Sequence, residues 1–468
     1  MVASTVTGHL LDSIERLAER AAGGRKRRLI SVTAEVEPID PSAAVFASRR
    51  ADDRWFCWEQ PDRDGFALAS LGTAVEVVSR GGRRFGDLVD GCAGLGAERL
   101  SEEPIGLPSG AGATWVGGLA FAPGGCSEAQ WSSFAPALML MPELALSRHG
   151  ERHHLTLATL WRPGEDPAEV RARSAARVAS LRTLSLPPLD PHPTGRVRVS
   201  NGRPPAAYEE AVADAVARIR GGRARKLVLA REVRVDAPAA YDPAAIYGAL
   251  RELFPSCFCF CFGTPEGAFV GASPELLIRR SGAGAATVAL AGSARRSADP
   301  AVDDHLGEKL KQSAKDREEH EIVVQRIKRA LGPHSVWVEA VEEPSLVRVA
   351  NIQHLATPIR AQLSNPLSAL ALAGLLHPTP AVGAEPFDAA AGELIAELEQ
   401  MDRGWYAGPV GWMDATEDGE FCVALRSALL RDRVGHLYAG AGIVADSDPA
   451  AELAETEVKL GAMLPLLT

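Results

Sequence analysis

A mixed α/β (α+β) fold, sheets covered by helices, is the class this sequence predicts. Runs of period two recur along the chain. The clearest is Cys257-Phe258-Cys259-Phe260-Cys261-Phe262, which puts three thiols on one face of a strand and three rings on the other. Between such runs stand segments whose Ala, Val, Ile and Leu recur at helical spacing, closed by stops such as Gly221-Gly222. With 468 residues, 46% of them hydrophobic and 24% charged, the chain has material for a sizeable core.

The first twenty residues read as an amphipathic helix in which Asp12, Glu15 and Glu19 interrupt any signal-peptide apolar core. The run GGRKRR that follows reads as a solvated linker. Short strands are expected at 30–38, 54–59, 73–78, 114–121 and 138–146. The Pro-rich passage LSLPPLDPHPT at 184–194 breaks any regular element and divides the chain into 1–195 and 196–468. Beyond it the pattern predicts a helix at 204–220, a strand at 226–234, a helix at 244–253, the Cys/Phe strand, a strand-to-turn segment at 269–274 and a strand at 287–291. A long helix at 303–331 follows, then a strand pair within 336–349, a helical stretch at 366–376, a Pro/Gly-rich loop and a helix at 388–401. Two hairpins, a glycine-rich turn and a last helix from about Pro449 complete the chain. No internal repeat is visible.

A formal charge of -10 and a pI near 5.7 argue against nucleic acid or anionic membrane as partners, since both require a basic face. No segment approaches the roughly 18 uninterrupted apolar residues a bilayer demands, so a cytoplasmic protein acting on a small molecule is expected. The seven cysteines show no repeated C-x-x-C spacing. Successive thiols of the Cys/Phe run would lie about 7 Å apart, and buried structural cysteine is the expected role.

Two helices carry acids at helical spacing: Asp316, Glu319 and His320 on one, Glu452, Glu455 and Lys459 on the other. Brought together, such carboxylates would repel unless a cation sat between them, and a hard oxygen site of this kind suits Mg²⁺; spacing alone describes two solvated helix faces equally well. Ala439-Gly440-Ala441-Gly442 offers backbone N–H groups to an anion. Arg426, inside the apolar run 422–430, offers a carboxylate clamp or an edge-strand charge. Lys226 opens the apolar strand 226–234; burial near a cation would favour its neutral, basic form, whereas a strand-end lysine can also reach water. Glu275, in Ser273-Pro274-Glu275, follows a strand at a turn and faces either a cleft or solvent.

Taken together, the ordered blocks KLVLAR, GASPELLIRR, ALAGSARR, KDREEHEIVV, NIQHLATPIRAQL, LLHPTPAVGAEP, DRGWYAGPVGWMD, VALRSALL and AGAGIVADSDPAAELAETEVKL resemble the chorismate-utilising enzymes, and among them the isochorismate synthases. The resemblance covers roughly 200–468; the first 190 residues match only loosely, as the family's variable half. It implies a single large unit of stacked, largely antiparallel sheets flanked by helices, with a deep Mg²⁺-dependent site in the C-terminal half. By motif position Lys226 resembles the base that activates water for attack at C2 of chorismate, and Glu275 the acid that protonates the departing C4 hydroxyl. Glu319 and Glu455 resemble the main Mg²⁺ ligands, with Asp316 and Glu452 assisting. Arg426, Tyr406, Lys459 and the Gly440 and Gly442 backbone resemble the groups that hold the substrate carboxylates, while Gly292, Ser293, His354 and Thr357 line the same pocket by analogy.

Two positions discriminate within the family. Aminating relatives carry glutamine where this chain has Lys226, and aminodeoxychorismate synthases carry a nucleophilic lysine where it has Ala291. Water is therefore the expected nucleophile, no glutaminase subunit is expected, and the chain is expected to act as a monomer. Salicylate synthases share the lysine, the acid and the metal acids; LHPTPAVGAEP, with His377, and HLATPI stand closer to dedicated isochorismate synthases. Ser293 replaces the more usual threonine and Ala384 the more usual glycine. The product serves either menaquinone or siderophore synthesis, a choice the sequence leaves open.

Overall fold

The computed structural model describes residues 4–63, 65–190, 195–349 and 352–468. The Cys/Phe run forms the strand Phe258–Thr264, buried throughout, near the middle of the larger of two sheets. Its two faces belong to different cores, as period two predicts. Cys257, Cys259 and Cys261 pack with Tyr247 and Leu250 of the helix Pro243–Leu253. Phe258, Phe260 and Phe262 enter the core between the sheets, where Phe262 lies 5.0 Å from Trp405 and 6.0 Å from Phe134. All seven cysteines are free, and all but Cys126 are fully buried.

Among the described residues there are two largely antiparallel sheets, of 13 and 10 strands, with 11 α-helices around them. In the larger, the strands Arg198–Asn201, Lys226–Asp236, Val434–Ile443, Ser427–Arg431, Gly267–Ser273 and Phe258–Thr264 lead on to Trp55–Glu59 and the N-terminal strands. The smaller runs Ser335–Ala340, Ile352–Leu363, Gly284–Arg295, Leu276–Ser281, Gly419–Val423, Pro409–Asp414, Thr114–Leu119, Ala137–Met141 and Val75–Ser79. Both sheets thus draw strands from either side of the Pro-rich connector. Residues 181–190 of that connector carry no regular element, and 191–194 lie outside the described residues.

Five helices begin with Asp-Pro: Pro41–Ser48, Pro167–Ala179, Pro243–Leu253, Pro300–Gln312 and Pro449–Leu460. In each the aspartate caps a free backbone N–H and proline supplies the first helical φ at no hydrogen-bond cost. The expected long helix at 303–331 is two helices, Pro300–Gln312 and Ala314–Leu331. Ser313 is extended and its hydroxyl accepts from Asp316 N, so it ends one helix and caps the next. The strands Ser335–Ala340 and Ser345–Val349 do not pair with each other; each pairs with the long strand Ile352–Leu363. The expected glycine-rich turn at 439–442 is strand, the inner end of Val434–Ile443, paired with Lys226–Asp236. The helices Pro41–Ser48, Arg84–Ala97 and Pro167–Ala179 were not expected from the pattern.

The expected strand at 422–430 is two strands in different sheets, Gly419–Val423 and Ser427–Arg431, and Arg426 sits at the crossing with φ +48°. A second crossing, at Pro274 and Glu275, joins Gly267–Ser273 to Leu276–Ser281. The crossings are stitched side by side: Ser273 Oγ donates to Val423 O at 2.6 Å, Val423 N to Glu275 O at 3.0 Å and Ala272 N to Arg426 O at 3.2 Å. Glu275 and Arg426 are thereby delivered to the seam between the sheets.

Candidate active site

At that seam opens a cavity continuous with solvent. Glu275, Gly292, Ser293, Asp316, Glu319, His354, Tyr406, Arg426, Gly440, Gly442, Glu452, Glu455 and Lys459 all line it. Helix Ala314–Leu331 contributes Asp316 and Glu319, and helix Pro449–Leu460 contributes Glu452, Glu455 and Lys459. The two acidic helix faces therefore meet across one cavity.

Each glutamate of this set is held by a lysine. Lys226 Nζ lies 2.8 Å from Glu319 Oε1, Lys459 Nζ 2.8 Å from Glu455 Oε1, and Lys315 Nζ 3.4 Å from Glu452 Oε1. Ser293 Oγ adds a 2.9 Å hydrogen bond to Glu455, and Lys459 also donates to Gly440 O at 2.8 Å. Burial pulls Glu455 upward, but Lys459 and Ser293 outweigh it and hold its carboxyl below the ordinary range. Burial likewise pulls Lys459 down, and the Glu455 charge reverses this and raises it. Asp316 and Glu452 are raised, by desolvation first and then by neighbouring carboxylates.

Two expected residues stand apart. Lys226 is 0% exposed and reaches the cavity only through Glu319; the group facing its amine is an anion, not the expected cation. Thr357 lies behind the wall, its Oγ1 2.7 Å from His320 Nε2. The reason is strand parity: His354 and Thr357 are three apart on Ile352–Leu363 and so point to opposite faces.

The cationic side is built around Arg426, which is 8% exposed. Its Nη2 lies 2.9 Å from His354 Nε2, and His354 Nδ1 lies 3.2 Å from Gly292 O. Burial first, then Arg426 and Lys459, push His354 down to about 3, so the neutral ring donates from Nδ1 to Gly292 and accepts from Arg426. Arg426 Nη1 is buried without a partner among the described residues, a donor left for an anion in the cavity. Burial pushes the Glu275 carboxyl up to about 8 against the pull of Lys226, Lys459 and Arg426, so it carries a proton at neutral pH.

The glycines make room. A Cβ on Gly442 would lie 2.5 Å from Glu319 Oε1 and 3.0 Å from Lys226 Cε; one on Gly292, at φ +70°, would meet Asp316 at 3.1 Å. Gly440 and Gly442 face Ala230 and Val228, whose N–H groups go instead to Glu399 Oε1 and Gly383 O. These are non-hydrogen-bonded pairs, so the Gly440 and Gly442 N–H groups point away from that strand.

Three lining residues with polar side chains escaped the sequence reading. Lys315 immediately precedes Asp316. Tyr438 stacks on Tyr406 at 5.4 Å. Arg403 lies beneath Val228 and Val382, donating to both carbonyls at 2.8 Å and pairing with buried Glu399. Lys315 and Arg403 sit inside the blocks KDREEHEIVV and DRGWYAGPVGWMD, where their neighbours drew the attention.

A family profile described as "Chorismate binding enzyme" matches residues 15–468. The chain belongs to the chorismate-binding enzymes. Among curated proteins it is 37% identical to the salicylate biosynthesis isochorismate synthase of Pseudomonas aeruginosa, over 98% of this chain and 94% of that one. It is 32% identical to the isochorismate synthase MenF of Bacillus subtilis, over 94% and 93%. Among solved structures, the menaquinone-specific isochorismate synthase MenF of Escherichia coli superposes with a TM-score of 0.78 at 26% identity, covering 98% of this chain and all of that one. The match spans the N-terminal half, so the family extends well beyond the blocks recognised in 200–468.

The acid set also fits a divalent cation. Its donors are hard carboxylate oxygens from two facing helices, and Gly292 and Gly442 leave free the space those carboxylates occupy. Among the described residues no three His, Cys, Asp or Glu side chains are grouped as a metal site, so the fit rests on donor chemistry alone. Hard carboxylate oxygens suit Mg²⁺, which typically takes one or two carboxylates and completes its shell with water and substrate oxygens.

Proposed function

We propose that this chain is a Mg²⁺-dependent isochorismate synthase, converting chorismate to isochorismate by addition of water at C2 and loss of the C4 hydroxyl. The observation that carries the reading is Glu275: a buried carboxyl, protonated at neutral pH, in the same cavity as a cationic clamp and two acidic helix faces. The relatives' names support it across nearly the full chain.

Chorismate is a dianion. Arg426, with its free Nη1, receives one carboxylate, oriented by His354 from behind. Lys459, Tyr406 and the Gly440 and Gly442 N–H groups border the place for the other. Glu319 and Glu455 would hold Mg²⁺, with Asp316 and Glu452 assisting; the ion would offset the acids' charge, orient the ring carboxylate and stabilise developing negative charge. Lys226 acts as the base only as the free amine: once it has given up its own proton, it takes the proton of the water that attacks C2. Its 2.8 Å contact with Glu319 has to open for the amine to reach that water. Glu275 gives its proton to the C4 oxygen, which leaves as water.

Incubation with chorismate, with and without Mg²⁺, followed by product separation, tests the reading. Isochorismate formed only with the metal supports it. Salicylate with pyruvate would assign the chain to salicylate synthesis, and unconsumed chorismate would remove the enzymatic reading. The pathway served, menaquinone or siderophore, is decided by which product accumulates in cells when the chain is overproduced.

A further inference from the structure

Of the three lysines that hold the acids, one is built differently. Lys226 is fully buried on a strand, and Lys459 is tied twice, to Glu455 and to Gly440 O. The Lys315 side chain is 46% exposed, and its contact with Glu452, at 3.4 Å, is the longest of the three. Among the described residues Glu452 is its one hydrogen-bond partner. Lys315 also stands in the first turn of helix Ala314–Leu331, where the helix dipole disfavours a cation. It is therefore the lysine most readily released, and it lines the cavity.

We propose that Lys315 is a substrate-binding residue held in reserve: it occupies Glu452 until a divalent cation draws that carboxylate away, and then turns its ammonium to a carboxylate of the substrate. This rests on the proposed reaction. Glu452 is the acid best placed for such a hand-over. It is 3% exposed, so its carboxylate does not stand unpaired at low cost, and one cation must replace the other. A dianionic substrate entering the metal-loaded cavity then meets a freed ammonium in addition to Arg426's buried clamp. The same residue thus links metal loading to substrate capture.

The test measures Mg²⁺ binding by calorimetry without substrate, and KM and kcat for chorismate, in wild type, Lys315→Met and Lys315→Arg. Removing a half-exposed competing cation tightens Mg²⁺ binding about two- to fivefold in Lys315→Met. Losing a charged hydrogen-bond donor raises its KM about tenfold or more, with kcat within about twofold of wild type. Lys315→Arg restores the KM. Unchanged or weaker Mg²⁺ binding in Lys315→Met, or an unchanged KM, overturns the proposal. Wild-type turnover separates the two levels: an inactive wild type overturns the proposed reaction and the role of Lys315 with it, whereas an active wild type matched by Lys315→Met overturns the role of Lys315 alone.

Discussion

Replacing Glu275 by glutamine separates what this residue does for chemistry from what it costs the fold. Burial carries the carboxyl from an ordinary 4.5 to about 8. A difference of that size corresponds to about 5 kcal/mol between folded and unfolded chains. The sign follows from proton binding. Between these two values the folded protein holds a proton that the unfolded chain has released, so stability falls as pH rises from 4.5 to 8 and stays lost above it. Glutamine is a neutral isostere and carries no such cost. Glu275→Gln is expected to match wild type near pH 4.5 and to be more stable by a few kcal/mol at pH 8 to 9, read from urea denaturation midpoints at each pH. Its turnover of chorismate falls about 10²- to 10⁴-fold through loss of the acid, while wild-type activity declines about tenfold per pH unit above 8. A variant destabilised at pH 8, or a stability difference independent of pH, would refute the argument that Glu275 is a desolvated acid.

Three further outcomes follow from the geometry. Gly442→Ala drives a methyl into Glu319 and Lys226, and turnover is expected to fall about 100-fold with the fold retained by circular dichroism. Thr357→Val removes the contact to His320; denaturation is expected to show a loss of about 1 kcal/mol, with kcat/KM changed less than about twofold, because the hydroxyl faces away from the cavity. Arg403→Met leaves the buried Glu399 carboxylate without its counter-charge, and a loss of about 3–5 kcal/mol in stability is expected, measured by the same titration.

The acids were legible because helical spacing is a property of neighbours in sequence: Asp316 with Glu319 and Glu452 with Glu455 need only a helix to share a face. Asp-Pro helix starts are local in the same way. The break at Ser313 was readable too, since a serine three residues before Asp316 is a helix-start signal, yet the apolar periodicity on both sides masked it. Thr357 was misplaced although parity alone puts it opposite His354. What sequence does not carry is the partner across space. Nothing in 226–234 says that Lys226 meets Glu319, nor does the run 422–430 announce that Arg426 sits where the chain changes sheets. Arg403 shows the same limit: its role depends on the carbonyls of Val382 and Val228, 21 and 175 residues away in sequence. The family blocks reached past this limit only where their motifs matched.

The central claim, that water enters at C2 as the C4 hydroxyl leaves, is tested most directly by turnover in heavy-oxygen water. Purified protein, chorismate and Mg²⁺ are incubated in labelled water and the product is analysed by mass spectrometry. Isochorismate carrying one labelled oxygen at C2 is expected, without salicylate or pyruvate. Unlabelled isochorismate, or no isochorismate at all, would contradict it.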